Sequence, residues 1–162
     1  MSTGSLLVGA KLAQTSVPLI RYAARVAHGD PITVVHVRVP PQGWSGYDTW
    51  SAAGLRMWQD ECESEIRTAA LIILDGYSGP WRVVVRHGDP ARELAAQAEQ
   101  ERARAVILGD SGTRRRFRGK PLVTKVKTLT PREVVVIPDL ATVAEGPFSD
   151  LWIEPSEPSE PR

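Results

Sequence analysis

A glycine-punctuated loop in the last third of the chain has the residue types that bind an anion or a nucleotide. It runs from Gly109 to Gly112 (Gly-Asp-Ser-Gly), directly after the apolar run 105–108 and ahead of a predicted helix. After a buried parallel strand, free backbone N–H groups and the positive end of a helix dipole converge. Residues 114–120 (Arg-Arg-Arg-Phe-Arg-Gly-Lys) add five cations, which favour phosphate groups. The pattern predicts a phosphate-binding loop.

The other residues that could do chemistry do not form an enzyme-like set. His28, His36 and His87 are scattered, and His36 falls inside a predicted strand, where a hydrogen-bonded core histidine is expected. The sequence has no Ser/His/Asp or Cys/His order, no metal-ligand spacing and no Walker A motif. Asp110 and Ser111 could meet the metal ion of a bound phosphate. We therefore predict no enzyme, no catalytic residue and no protein metal site, with weak nucleotide hydrolysis as the upper limit.

The composition is that of one cytoplasmic domain with a single core. The chain has 162 residues, 42% of them hydrophobic and 24% charged, which is ordinary for a globular protein. Its one cysteine, Cys62, excludes an internal disulfide and fits a reducing compartment. No apolar stretch approaches about 18 residues, and the first residues lack the basic region of a signal peptide. We predict a cytoplasmic protein that does not enter a membrane.

The charge is unevenly distributed along the chain. Residues 139–162 carry six acidic groups and one arginine, a net charge of −5, and the formal total of +1 therefore leaves +6 on residues 1–138. Prolines, serines and glutamates in the last segment cannot build a core. We predict an α/β domain over 1–138 and a flexible acidic tail over 139–162, with an apolar docking segment at 148–153. The tail could contact the basic body, the body could hold an anion, or the tail could serve solubility alone.

Strand-like and helix-like segments alternate along the first 138 residues. Unbroken apolar runs of strand length indicate buried parallel strands, and amphipathic segments between them indicate helices on both faces of one sheet. Asp89 is the expected N-cap of the third helix, and Thr15 or Ser16 that of the first. The second helix is expected to bury a stripe that includes Trp58 and Cys62. The predicted strands are 5–10, 32–37, 81–86, 105–108 and 133–137, and the predicted helices run from 15 or 16 to 27, 51–74, 90–103 and 121–129.

Three places in the chain resemble the universal stress proteins. They are Val35-His-Val at the end of the second strand, 88–94 (Gly-Asp-Pro-Ala-Arg-Glu-Leu), and the stretch from the fourth to the fifth strand. The resemblance covers about residues 4–139. It implies a five-stranded parallel sheet of order 3-2-1-4-5, similar to the adenine nucleotide alpha hydrolases and the Rossmann-like folds. It also implies dimerisation through the fifth strand.

The resemblance further implies binding of ATP or AMP, with Mg, through the motif Gly-x2-Gly-x9-Gly-[Ser/Thr]. Gly109 and Gly112 match its first half. The counterpart of its second half is Val123-Thr124, one position late and without the glycine, so the valine side chain would crowd a phosphate. Where ATP-binding members carry an aspartate after the first strand, this chain has Ala10, followed by Lys11. The candidate nucleotide-binding residues are Ala10, Val37, Gly109, Gly112, Arg114, Val123 and Thr124.

Two functions from different classes follow from these matches and departures. The first is a homodimeric binding and regulatory protein that has weak or lost ATP binding and acts through a protein partner at 113–120 or the tail. The alternative is an ATP- or AMP-binding sensor that uses the loop from Gly109 to Gly112. Nucleic acid is disfavoured because the chain is near neutral and its basic patch is short. The fifth strand is expected at a sheet edge with unpaired backbone groups, which makes it the candidate dimer interface; its residues are Val134, Val135, Val136 and Ile137.

Overall fold

Strands and helices alternate along the chain as expected. The structure is a computed structural model that describes residues 4–40, 49–109 and 121–137, with side chains of the second helix described from residue 53 onward. The tail and its docking segment at 148–153 lie outside the described residues. The elements are β1 Leu6–Ala10, α1 Ala13–Ala27, β2 Ile32–Arg38, α2 Thr49–Ile73, β3 Trp81–His87, α3 Pro90–Gln100, β4 Ala105–Gly109, α4 Leu122–Leu129 and β5 Glu133–Ile137.

The five strands form one parallel sheet in the order β3-β2-β1-β4-β5. This confirms the predicted fold class and strand order. From β1 the chain moves outward to β2 and β3 on one side, and the later strands β4 and β5 lie on the other side. The β1–β4 boundary is therefore the topological switch point, where sheets of this type bind ligands at the carboxyl ends of the strands.

Each face of the sheet carries its own apolar core, which explains why the strands read as unbroken apolar runs. On one face Leu6 and Val8 of β1 pack with side chains of α1 and α2, such as Ile20 and Ile66. On the other face Leu7 of β1 belongs to a second core cluster, with Val35 and Val106 of neighbouring strands and Leu94 and Val126 of α3 and α4. The prediction of helices on both faces is confirmed.

The start of α1 differs from the prediction. The helix begins at Ala13, its N-cap is Leu12, and no side chain caps it. The hydroxyls of Thr15 and Ser16 donate to the carbonyl of Leu12, one turn back, so neither residue is the N-cap. The prediction was wrong because hydroxyl side chains inside a first turn can bond to the preceding carbonyl as readily as they cap a helix.

The buried stripe of α2 is confirmed at Cys62 and Ile66 but not at Trp58, half of which is exposed. Trp58 lies eight residues before Ile66, which places it about 80° away around the helix axis, at the border of the buried face. Among the described residues, no helix has the length and apolar character needed to cross a membrane.

Candidate functional site

The switch point is built from the carboxyl ends of β1 and β4. These strands pair only from Leu6 opposite Ala105 to Val8 opposite Ile107, whereas β1 pairs with β2 over all five of its residues. Directly after the last pair, Gly9 lies so close to β4 that a Cβ there would be 2.6 Å from Cδ2 of Leu108. A larger residue at position 9 would have to displace the Leu108 side chain. The two strands thus end side by side at Ala10 and Gly109 without further pairing.

The two helices that follow these strands begin without a capping side chain. At the start of α1, after β1, the first turn has no acidic residue, and exposed Lys11 immediately precedes the N-cap. At α4, after β4, the N-cap is Pro121, and the first turn again has neither a side-chain cap nor a carboxylate. Among the residues that the structure describes, no side chain accepts from the first backbone N–H groups of either helix, so an anion can accept from them, and the helix dipoles favour it.

The start of α3 shows the opposite arrangement. Asp89 is its N-cap, and the Asp89 carboxylate accepts a hydrogen bond from the backbone N–H of Arg92 at 3.1 Å. Pro90 occupies the first helical position and Glu93 lies in the first turn. This confirms the predicted cap. The positive end of α3 is already neutralised within the chain, so the anion-binding potential is confined to α1 and α4 among these three helix starts.

Ala10 is buried, and its backbone carbonyl is already engaged. Nδ1 of His36 lies 3.0 Å from the Ala10 carbonyl oxygen, so this nitrogen carries the proton and donates. Nε2 of His36 is buried and has no hydrogen-bond partner among the described residues. The prediction of a hydrogen-bonded core histidine is confirmed. Ala10 itself offers no carboxylate to a ligand, and its carbonyl already accepts one hydrogen bond.

The remaining candidates divide between the core and the surface. Val37 and Val123 are partly buried and pack against the same core cluster on the α3 and α4 face. Thr124, in the first turn of α4, is exposed. At Gly109 a Cβ would make an ordinary contact with Leu19 at 3.6 Å, so glycine is not required there by the described neighbours. Gly112 and Arg114 lie outside the described residues.

The candidate dimer residues lie on an edge strand, as expected from the sequence. β5 pairs only with β4 in the described sheet. Val134 and Val135 are partly buried and pack towards opposite faces, Val136 is partly exposed, and Ile137 is buried. The strand therefore has apolar side chains and one free row of backbone groups. Dimerisation through it stays a prediction.

A second polar cluster, at the amino ends of the strands, was not predicted from the sequence. Glu101 accepts hydrogen bonds from Thr33 at 2.7 Å and from Ser5 and Gln97, and it pairs with Arg82 at 2.6 Å. Burial raises the pKa of the Glu101 carboxyl, but the bonds from Thr33, Gln97 and Arg82 outweigh burial and hold that pKa below its usual value. The i, i+4 spacing of Gln97 and Glu101 was the available signal.

This cluster is one wall of an open cleft of about 700 Å³, with Asp30 and Trp81 also in its lining. Every oxygen of Glu101 already has a donor from the chain, so the carboxylate acts as a structural acceptor. In the part of the chain that the structure describes, no three His, Cys, Asp or Glu side chains come together as metal ligands.

Comparison with known proteins identifies this architecture. The model of the universal stress protein family matches residues 3–136. A search of curated proteins finds no match.

Solved structures share the fold at low sequence identity. A universal stress protein from Lactobacillus plantarum is 17% identical and has a TM-score of 0.67, with 85% of this chain and 99% of that chain covered. A universal stress protein in complex with cAMP is 17% identical with a TM-score of 0.61, over 85% and 98% of the two chains. A family member from Arabidopsis thaliana with AMP bound is 9% identical with a TM-score of 0.63, over 90% and 98%.

Proposed function

The chain belongs to the universal stress protein family, and on that premise we propose that it is a non-enzymatic regulatory protein that binds an adenine nucleotide weakly. The nucleotide site is the carboxyl edge of the sheet between β1 and β4. The protein acts as a homodimer in the cytoplasm and transmits the bound state to a protein partner through residues 113–120 or the tail.

One observation supports a nucleotide site between β1 and β4. The two helices that begin on either side of the switch point lack both a side-chain cap and a first-turn carboxylate, whereas α3 has both. Free N–H groups and the dipoles of α1 and α4 favour an anion there, and Lys11 adds a positive charge. Solved relatives hold AMP and cAMP, which supports an adenine nucleotide as the anion.

Weak binding follows from Ala10. A side-chain carboxylate at that position would accept a hydrogen bond from the adenine amine, and hydrogen bonds to charged groups contribute about 1.5–3 kcal/mol. Ala10 offers no such carboxylate, and its carbonyl already accepts a hydrogen bond from His36. We therefore expect affinity about ten- to a hundredfold below that of a site with the carboxylate.

The homodimer is supported by the apolar edge of β5. Pairing β5 with its copy would satisfy the free row of backbone groups and cover the exposed parts of Val134 and Val136. Sedimentation at micromolar concentration should give the mass of two chains, and a monomer would refute this part of the proposal.

The test of nucleotide binding has two readouts. Mass spectrometry of acid-released ligand from freshly purified protein should detect AMP or ATP, and calorimetric titration with AMP and with Mg-ATP should give a weak, saturable heat. An empty protein that gives no heat with AMP, cAMP or Mg-ATP at millimolar concentration would contradict the proposal.

A second candidate function is a binding module without nucleotide. The observation that favours it is the same carboxyl edge: Ala10 has no carboxylate, and Val123, one position late, is the counterpart of the glycine of the family motif. In that case the empty titration would be accompanied by partner binding that depends on residues 113–120 or on the tail. Alanine replacement of the arginines in 114–118, followed by pull-down of a partner, separates these two surfaces.

A further inference from the structure

The outer face of α2 exposes large apolar side chains that the fold does not use. Met57 is 72% exposed and Trp58 50% at one end of the face, and Leu71 and Ile72 are 61% and 69% exposed at the other. These two pairs are separated by about 21 Å along the helix axis. Each pair is a small exposed apolar patch, and two such patches on one helix face are a candidate interaction surface.

A groove runs along this face where α2 meets the start of α1. It has a volume of about 430 Å³ and is lined by Gln14 of α1 and by Ser64, Thr68 and Ile72 of α2, among others. Its polar hydroxyl and amide groups lie between the two apolar pairs. The groove reaches Ile72 at one apolar end, and Met57 and Trp58 lie beyond its other end, so an amphipathic helix laid along the face could contact all three features.

The middle of the same face is acidic. Glu61 and Glu65 lie one turn apart between the apolar pairs, and both are exposed. No basic side chain of the described residues pairs with either of them, whereas the neighbouring Asp60 and Glu63 pair with Arg38. The described residues therefore pair the charges on the inner flank of α2 and supply no cation to Glu61 or Glu65.

We propose that the outer face of α2 is the docking surface for a basic amphipathic segment of a partner protein. Apolar side chains of that segment contact Met57 and Trp58 at one end and Leu71 and Ile72 at the other. Its lysines or arginines neutralise Glu61 and Glu65. This surface adjoins the first turn of α1, which contributes Gln14 to the groove, but the proposal does not depend on nucleotide binding.

The charges argue against two other occupants. The tail of this chain has a net charge of −5, and Asp150 lies inside its apolar segment, so docking it here would place like charges together. A second copy joined by a two-fold axis through this face would bring Glu61 and Glu65 against their own copies. A basic segment is the occupant that matches both the apolar ends and the acidic middle.

The test uses the full-length chain and a synthetic helical peptide of about 15 residues, long enough to cover the face, made of leucine and lysine at helical spacing. A second peptide has the same leucines and glutamate in place of lysine. Fluorescence anisotropy should show that the lysine peptide binds at least about tenfold more tightly than the glutamate peptide, with an affinity that falls as salt rises.

Two variants locate the binding. The double substitution Leu71→Ser with Ile72→Ser replaces the two exposed apolar side chains at one end of the face. It should lower the affinity for the lysine peptide about tenfold. Glu61→Lys with Glu65→Lys should reverse the preference, so that the glutamate peptide binds more tightly. Two single charge reversals serve as a matched pair. Glu65→Lys should weaken binding of the lysine peptide, whereas Glu133→Lys, on the distant β5 edge, should leave that binding unchanged.

Three results would overturn the proposal. An unchanged preference after the double charge reversal would mean that the peptide binds elsewhere, for example on the acidic tail. If the double variant Leu151→Ser with Trp152→Ser bound the peptide more tightly than the unsubstituted protein, the tail would be what covers the face. Loss of dimer mass by Leu71→Ser with Ile72→Ser in sedimentation would mean that a second copy covers it.

Discussion

At the amino ends of the strands, Glu101 takes hydrogen bonds from Ser5, Thr33 and Gln97 and an ion pair from Arg82. At the carboxyl ends, no side chain of the described residues accepts from the first N–H groups of α1 and α4. Both ends of one sheet carry strong polar groups, but at the amino end the chain satisfies them itself. The carboxyl end leaves donors available, and they converge on the switch point between β1 and β4.

This difference separates stability from binding. Polar groups that satisfy one another contribute to folding, and removing one of them leaves its partners buried and unpaired. Donors left open contribute little to folding and are available for an anion. Substitutions at the amino end should therefore change stability and leave nucleotide affinity alone, and substitutions at the carboxyl end should do the reverse.

The largest expected effect comes from Glu101→Ala. This change leaves Thr33, Gln97 and Arg82 without their acceptor at a carboxylate whose side chain is 8% exposed. We expect the free energy of unfolding to fall by about 3 kcal/mol. Urea denaturation measures it, and nucleotide affinity should not change. A loss below about 1 kcal/mol would show that the network contributes little to folding.

The next largest effect is expected for Thr124→Glu at the carboxyl end. A carboxylate in the first turn of α4 repels phosphates and occupies the helix dipole, so nucleotide affinity should fall about tenfold or more. The same carboxylate should leave stability unchanged or raise it by about 0.5 kcal/mol. Thr128→Glu, in the last turn of the same helix, is the matched control and should leave affinity unchanged. Equal losses in the two variants would remove α4 from the site.

Asp89→Ala tests the helix start that is already capped. Loss of the hydrogen bond to the Arg92 N–H should lower the free energy of unfolding by about 1 kcal/mol. Nucleotide titration of the same variant should match the unsubstituted protein. Weaker binding would mean that the capped start of α3 also contributes to the anion site.

The smallest effect is expected on the decline of the free energy of unfolding at acid pH. The folded-state pKa of Glu101 lies below its ordinary value of 4.5, so its contribution is complete above that pH and is lost as pH falls through the folded pKa. The pKa of Glu99 is also lowered, by hydrogen bonds from Arg132 and Thr130. Glu101→Gln should therefore flatten the decline in stability below about pH 4.5. A decline as steep as in the unsubstituted protein would assign the acid sensitivity to other groups.

The strands were predictable because burial on both faces leaves little choice of residue. Runs such as 105–108 are apolar without interruption, and each lies between helices in the structure. The cap of α3 was predictable because Asp89 and Pro90 combine two local preferences at adjacent positions. The strand order came from the family resemblance, because alternation alone predicts a parallel sheet but not which strands are neighbours.

Other features depend on the assembled fold, and local spacing alone does not specify them. The position of Glu101 requires α3 to end beside the amino ends of β1 and β2, which no single segment specifies. The exposure of Trp58 depends on where the buried face of α2 ends around the helix, which only the packed helix shows. At the candidate site, the sequence indicated the carboxyl edge, but the bond between His36 and the Ala10 carbonyl appears only once β1 and β2 are paired.

Two-dimensional amide NMR of the full-length chain during titration with AMP tests the nucleotide site at the switch point most directly. We predict that the first-turn amides of α1 and α4, including those of Gln14 and Thr124, shift and saturate together, while those of Arg92 and Thr33 do not move. Shifts confined to the amino end, or no shift at millimolar AMP, would contradict a nucleotide site at the switch point.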